Sequence, residues 1–154
     1  MEIIIGIDPG AVSGAYAILT KRGRFICVDD LPVLDKMLNA TSLARFLDTY
    51  VAGATGAQVI LEQVSAMPNQ GVTSSFRFGQ GYGIIQGILG AYELPVHFVR
   101  PAKWKKSLGL DSDEKKSLAM ARELYPDAEP YLKRVKDHNR GDALLIAHYG
   151  LKAL

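Results

Sequence analysis

Residues 2–8, Glu-Ile-Ile-Ile-Gly-Ile-Asp, form a nearly unbroken apolar run, the pattern of a strand covered on both faces at the centre of a sheet. Pro9-Gly10 turns the chain, and residues 13–20 read as a second strand. Lys21-Arg22-Gly23 makes a hairpin turn into a third strand over 24–30. Two short hairpins in succession predict an antiparallel meander. Residues 31–40 show no clear period and read as irregular. Thr41 or Ser42 then caps a helix to about Val51, with Leu43, Phe46, Leu47 and Tyr50 at helical spacing. Glycines at 53 and 56 break it, and 57–62 is a fourth strand, parallel to the first because a helix intervenes. Met67 to Gly71 is a loop, after which Thr73, Ser74 or Ser75 caps a long helix to about Tyr92. A short strand over 95–99 and helices over 112–124 and 138–150 complete the chain. This order predicts an α/β fold with a mixed five-stranded sheet and helices on both faces. Its first three strands form the meander, and the last two run parallel to the first.

No linker, low-complexity tract or repeat interrupts the pattern, so residues 1–154 read as one domain. Composition changes the picture little. Hydrophobic content of 48% and 22% charged residues are ordinary for a globular protein. Cys27, the single cysteine, leaves no internal disulfide or cysteine-based zinc site and is expected as a small buried hydrophobe on a strand. No apolar stretch is long enough for a membrane-spanning helix. The chain opens directly on strand sequence without a signal-peptide pattern, so an intracellular, reducing location is expected. Charge is more informative when divided. Residues 1–99 carry 6 basic and 8 acidic side chains, and residues 100–140 carry 11 and 7. The modest net charge of +2 thus hides a basic second half suited to a polyanion.

Candidate chemistry lies at the element ends. Asp8 ends the first strand, Glu62 ends the fourth, and Asp142 opens the apolar part of the last helix. Three carboxylates so placed predict a site assembled by the fold around hard cations, since oxygen-only ligands favour Mg²⁺ or Mn²⁺. Hydrolysis of a phosphodiester by two such cations needs a bridging carboxylate. Asp8, on the central strand, is the natural bridge. Upstream of Asp142 stand Asp137, His138 and Asn139. On a helix His138 and Asn139 share the Asp142 face, whereas Asp137 faces elsewhere and suits an N-cap. His138 can bind metal or act as a general base.

These pieces resemble RuvC-type Holliday-junction resolvases of the ribonuclease-H-like nucleases. The resemblance rests on Ile5-Gly6-Ile7-Asp8-Pro9-Gly10, Leu61-Glu62-Gln63-Val64, Phe78-Gly79-Gln80-Gly81-Tyr82-Gly83 and Asp142-Ala143-Leu144-Leu145-Ile146-Ala147. It covers nearly the whole chain, and the segment from Arg100 to Lys106 is similar to phage and prophage members. It implies a symmetric homodimer that cuts four-way DNA junctions with Mg²⁺, for which Mn²⁺ substitutes, two ions per site. Carried over by position, Asp8, Glu62 and Asp142 are metal ligands and catalytic residues. His138 is taken as the fourth of the set, with Asn139 and Asp137 as the alternatives. Ser65 stands where some relatives carry an aromatic that wedges into the junction; Met67 and Phe76 are the apolar candidates for that part, against simple local packing. The implied setting is the cytoplasm of a bacterial cell or a phage-infected host.

Arg77, Lys103, Lys105, Lys106, Lys115 and Lys116 are the expected DNA contacts, because lysine and arginine neutralise phosphates without reading sequence. Lys115 and Lys116 start a helix against the dipole preference, a placement that an adjacent phosphate would explain. Trp104, among these lysines, is expected as a core anchor. His97 and His148 carry no expected site role. On the helix 75–92, Gly79, Gly83, Gly87 and Ala91 recur every four residues. Gly79, Gly83 and Gly87 are expected to face the sheet, leaving Ile84, Ile88 or Tyr92 outward for the dimer. Other readings are a broader fork or flap nuclease, a junction-binding protein with weak catalysis, and an actin-like or sugar-kinase-type ATPase.

Overall fold

A computed structural model of the protein describes residues 1–10 and 13–154. The sheet has the spatial order β3-β2-β1-β6-β7. Its strands are β1 (Glu2–Asp8), β2 (Ala15–Thr20), β3 (Phe25–Asp30), β6 (Gly56–Glu62) and β7 (Val96–Val99). The first three form the expected antiparallel meander. β6 runs parallel to β1, and β7 parallel to β6. The mixed α/β sheet read from the pattern is therefore the one observed.

Alternation along β1 sorts the two cores. Ile3, Ile5 and Ile7 join Val59, Leu61, and the helices α1 (Ala40–Val51) and α2 (Val72–Ala91), through Leu43, Leu47, Ile85 and Leu89. Ile4 and Ile60 point the other way, toward α3 (Pro101–Ser107), α4 (Glu114–Leu124) and α5 (His138–Ala153). α5 lies directly across β1 at Gly6, where a Cβ would collide with the backbone of Ala143 and Ala147. Among the described residues, no helix is long and apolar enough to cross a membrane.

Several local expectations are corrected. Residues 31–40 contain a small hairpin, β4 (Val33–Leu34) and β5 (Met37–Leu38), whose tip, Asp35-Lys36, has φ of 51° and 63°. Such a two-residue turn is too short to leave a period in the sequence. The cap of α1 is Asn39, whose side chain accepts from Ser42 N at 3.1 Å, so Thr41 and Ser42 lie inside the helix. α2 starts at Val72 without a side-chain cap, with Thr73, Ser74 and Ser75 in its first turn. α3, unanticipated, is a seven-residue helix with Pro101 in its first turn. It is too short for a hydrophobic repeat to reveal. The glycine stripe is reversed: Gly79, Gly83 and Gly87 are exposed with open space around them. Ile88 and Tyr92 pack against the core instead, and the Tyr92 hydroxyl donates to Asp48 at 2.6 Å. Large side chains gain more from burial than hydrogen atoms do, so the bulky face turns inward.

Candidate metal and nucleic-acid site

β1 and β6 are neighbours in parallel register, Ile7 beside Leu61, so Asp8 and Glu62 emerge at the same edge of the sheet. That edge is where open α/β sheets hold ligands. α5 packs across β1 and delivers Asp142 from its second turn to the same place. Asp8 and Asp142 are only 7% and 9% exposed, and Glu62 is half-buried.

The three carboxyls act on one another electrostatically. Burial pushes the Asp8 carboxyl well above its ordinary value, and the charges of Glu62 and Asp142 push it further. The Gly10 N–H, donating to Asp8 Oδ1 at 3.2 Å, and the Lys105 ammonium act against this. Glu62 is raised by burial and by Asp142, against the indole N–H of Trp104 and the Lys105 charge. Asp142 is raised by burial, against the Ser117 hydroxyl, Lys105 and His138, with Glu114 adding to the rise. Asp142 Oδ1 and His138 Nδ1 are both buried with no hydrogen-bond partner among the described residues.

Buried acids that repel one another and orphaned buried polar atoms both destabilise a protein unless a cation answers them. The donor set, three carboxylates and an imidazole, fits a hard divalent ion. Among the described residues, no three His, Cys, Asp or Glu side chains converge closely enough to enclose an ion unaided.

A pH dependence follows. All three carboxyls have folded-state pKa values above their unfolded values, so they favour folding most when protonated. Their contribution is present below the unfolded range, ~4, and is lost as pH rises through the raised folded values. These carboxyls therefore favour a higher melting temperature for metal-free protein as pH falls through their raised range, against His148, which burial lowers, and the gain from added Mg²⁺ or Mn²⁺ should be largest at the high-pH end. Thermal scans in chelator across that window check this; a melting temperature that climbs with pH would contradict it.

Comparisons with known proteins bear on the fold. No family profile matches the chain. The chloroplastic Holliday junction resolvase MOC1 of Chlamydomonas reinhardtii is 36% identical over 89 residues, a stretch covering 56% of this chain and 10% of that protein. The chain thus spans a small part of the length of that relative. Among solved structures, RuvC of T. thermophilus in complex with a Holliday junction substrate superposes with a TM-score of 0.72 over 99% of this chain and 95% of the other, at 16% identity. The fowlpox virus Holliday junction resolvase gives 0.59 over 98% of both chains, at 17% identity. The chain has the RuvC fold.

In this RuvC-like frame the upstream residues separate clearly. His138 opens α5, with Nε2 3.6 Å from Glu114 Oε2 and Nδ1 buried, and lies near enough for its charge to lower the Asp142 carboxyl. Asn139, expected on the same face, instead donates from Nδ2 to the Ser13 carbonyl at 2.6 Å and hydroxyl at 2.7 Å. It ties α5 to the loop before β2. Asp137 occupies the N-cap position of α5 without capping it. Its carboxylate accepts from the Arg134 backbone N–H at 2.8 Å and guanidinium at 2.7 Å. Burial acts upward on that carboxyl, but the Arg134 hydrogen bonds hold it below its ordinary value. Both residues are engaged in holding the local fold, and neither is presented to the carboxylates.

The basic residues also divide. Lys105 is half-buried on α3 and near enough to lower all three carboxyls. Lys103, Lys106, Lys115 and Arg77 are exposed. Lys116 bonds Asp111 at 2.5 Å, and Asp113 caps α4 with Glu114 in its first turn. Lys116 is thus balanced by a local acid and needs no phosphate to explain it, whereas the Lys115 side chain is exposed. Arg77 lies apart, lining a groove of 780 Å³ between the β4–β5 hairpin and α2 that reaches Pro9 and Gly10. Met67 and Phe76 are 66% and 71% exposed, so neither packs locally.

The remaining expectations fare unevenly. Trp104 is fully buried, as expected, but its hydrogen bond to Glu62 was not anticipated. Ser117 and Glu114 are site neighbours that carry no sequence signal, being one serine and one glutamate among many. Cys27 is half-buried on β3, its thiol raised by burial. His97 bonds Gln58 at 2.9 Å and His148 bonds Tyr125 at 2.6 Å, both away from the carboxylates.

Proposed function

We propose that this protein is a structure-selective endonuclease, a crossover junction endodeoxyribonuclease that cleaves four-way DNA junctions by phosphodiester hydrolysis in recombination, repair or phage DNA processing. The observation that carries this is the meeting of Asp8, Glu62 and Asp142 at one sheet edge in a fold shared with a RuvC that binds a Holliday junction. The reading treats residues 1–154 as one nuclease domain acting in the cytoplasm.

Asp8, Glu62, Asp142 and His138 would hold Mg²⁺, or Mn²⁺ in its place, with Asp8 as the bridge between two ions. Bound there, the ions supply Lewis-acid stabilisation of the attacking and leaving oxygens. If His138 is left out of that ligand set, it would instead take a proton from the attacking water. Lys105 brings a positive charge to the site, which limits the repulsion a DNA phosphate would meet there. Lys103, Lys106 and Lys115 would hold the flanking phosphates. Arg77 would take those on the groove side. Exposed Met67 and Phe76 are available to unstack bases at the branch.

A two-fold junction calls for two matched sites, so the proposal includes a homodimer. The outward stripe of Gly79, Gly83 and Gly87 offers a smooth face along which two α2 helices can approach closely. The DNA part has its own check. Lys106→Ala should weaken binding about equally for all junction sequences and reduce the slope of log K against log salt by about 1. Anisotropy titrations at several salt concentrations measure it, and an unchanged slope removes Lys106 from the interface.

The deciding experiment incubates a mixed-sequence four-way junction, a fork and a flap with the protein and Mg²⁺ or Mn²⁺, and maps the cuts. Paired, symmetric nicks confined to the junction are expected. Cutting of all three substrates would broaden the activity to branched DNA. Salt-sensitive binding with no cutting in either metal would reduce the protein to a junction-binding module.

A further inference from the structure

Trp104 is the only tryptophan of the chain, is fully buried and stands between two lysines on a seven-residue helix. A buried indole contributes a large apolar surface and one N–H that must find an acceptor. The ring belongs to the core cluster that includes Ile60, Val99 and residues of α4 and α5. Any carbonyl would satisfy the N–H. Its actual acceptor is Glu62 Oε2, at 2.7 Å and 42 positions away in sequence.

The local architecture makes this pairing a built feature. Glu62 at the end of β6 is in register with Val99 at the end of β7, and the Gln63 N–H donates to the Val99 carbonyl at 2.7 Å. Arg100 is the N-cap of α3, with Pro101 in its first turn. A single turn of helix therefore separates the strand end beside Glu62 from the indole beneath it. A half-buried glutamate has three side-chain torsions, and freezing them costs conformational entropy. A short, charge-assisted bond from a ring that cannot move opposes that loss. The bond commits Oε2, so the orientation of the whole carboxylate, Oε1 included, is set from the indole. Lys105, the next residue, lies with Nζ 5.4 Å from the centre of the same ring.

We infer that Trp104 is a positioning residue that, through its indole N–H, fixes the Glu62 carboxylate in the orientation the nuclease site uses. The inference rests on the nuclease reading above for the purpose of that orientation. Because there is one tryptophan, biosynthetic replacement by 3-benzothienylalanine alters a single position, keeping ring size and packing while exchanging N–H for sulfur.

The substituted protein is expected to fold and melt like the natural one. Its affinity for Mn²⁺, read without DNA from the EPR signal of free Mn²⁺, should fall about 10- to 100-fold. Junction cleavage should fall similarly in kcat with KM little changed. Trp104→Phe should act in the same direction, and the single indole N–H resonance of the natural protein should move on Glu62→Gln. A substituted protein that binds Mn²⁺ and cuts as well as a competent natural protein reduces Trp104 to core packing and overturns the inference. An indole resonance blind to Glu62→Gln overturns it as well. A natural protein that neither binds Mn²⁺ nor cuts overturns the nuclease reading, and with it any use for the bond.

Discussion

Asp8→Asn protein is expected to bind a four-way junction as well as the natural protein and to cut it about 10³-fold more slowly, while melting at a higher temperature when metal-free. Both halves come from one cause. Asp8 is buried, and Glu62 and Asp142 raise its pKa further by repulsion. Ionising it therefore destabilises the metal-free fold. Asparagine keeps a carbonyl oxygen to accept the Gly10 N–H and removes the charge. The same charge is what a divalent ion requires of a bridging ligand, so its removal costs activity as it stabilises the fold. For a domain of this size, about 1 kcal/mol of relief moves the midpoint by about 2–4 °C. Cleavage time courses and melting scans in chelator test the two halves separately. Undiminished cutting would refute the assignment of Asp8, and a lowered melting temperature would refute the repulsion.

The second large effect concerns Gly6, two residues earlier on the same strand. Gly6→Ala should cost about 3 kcal/mol, at the upper end of overpacking penalties, and Gly6→Val should prevent folding in a domain whose whole stability is about 5–15 kcal/mol. The added carbon would meet the Ala143 carbonyl, the Ala147 amide and the Ala147 methyl. These belong to α5 itself, not to flexible side-chain ends, so the helix must lift from β1 and take Asp142 with it. Gly79→Ala is the informative contrast. Its surroundings are open, and alanine there should stabilise the isolated chain by up to about 1 kcal/mol through helix propensity. Urea midpoints of the two variants measure the difference. Equal tolerance of both would mean that α5 does not press on β1.

How legible all this was in the sequence depended on the range of the interaction involved. The strands β1, β2, β3 and β6 were readable because continuous or alternating apolar residues leave little choice of face, and the turns between them carry Gly and Pro. The meeting of Asp8, Glu62 and Asp142 was readable for a related reason: a helix between two strands makes them parallel, and parallel neighbours end at the same edge. α3 was not readable, since seven residues hold no repeat. The glycine stripe on α2 was visible but its direction was not. Spacing alone cannot say whether small residues admit a neighbour from inside or from outside. Burial of Ile85 and Leu89 decided it.

Side chains with several possible partners were the hardest. Asp137, His138 and Asn139 are adjacent and all polar, and each suits a ligand, a cap or a surface position. Their fates turned on Arg134, Glu114 and Ser13, partners that no periodicity selects. By itself, then, the sequence determined the order of elements, the α/β class and the edge at which three acids gather. Those features follow from local backbone preference and the alternation of buried faces. The tertiary structure alone decided which oxygen of Glu62 the Trp104 indole holds and which of three neighbouring polar residues turns toward Asp142. It also decided that α5 rests on a bare Gly6. Each of these depends on contacts between residues dozens of positions apart, set by the packing of whole elements rather than by any stretch of chain.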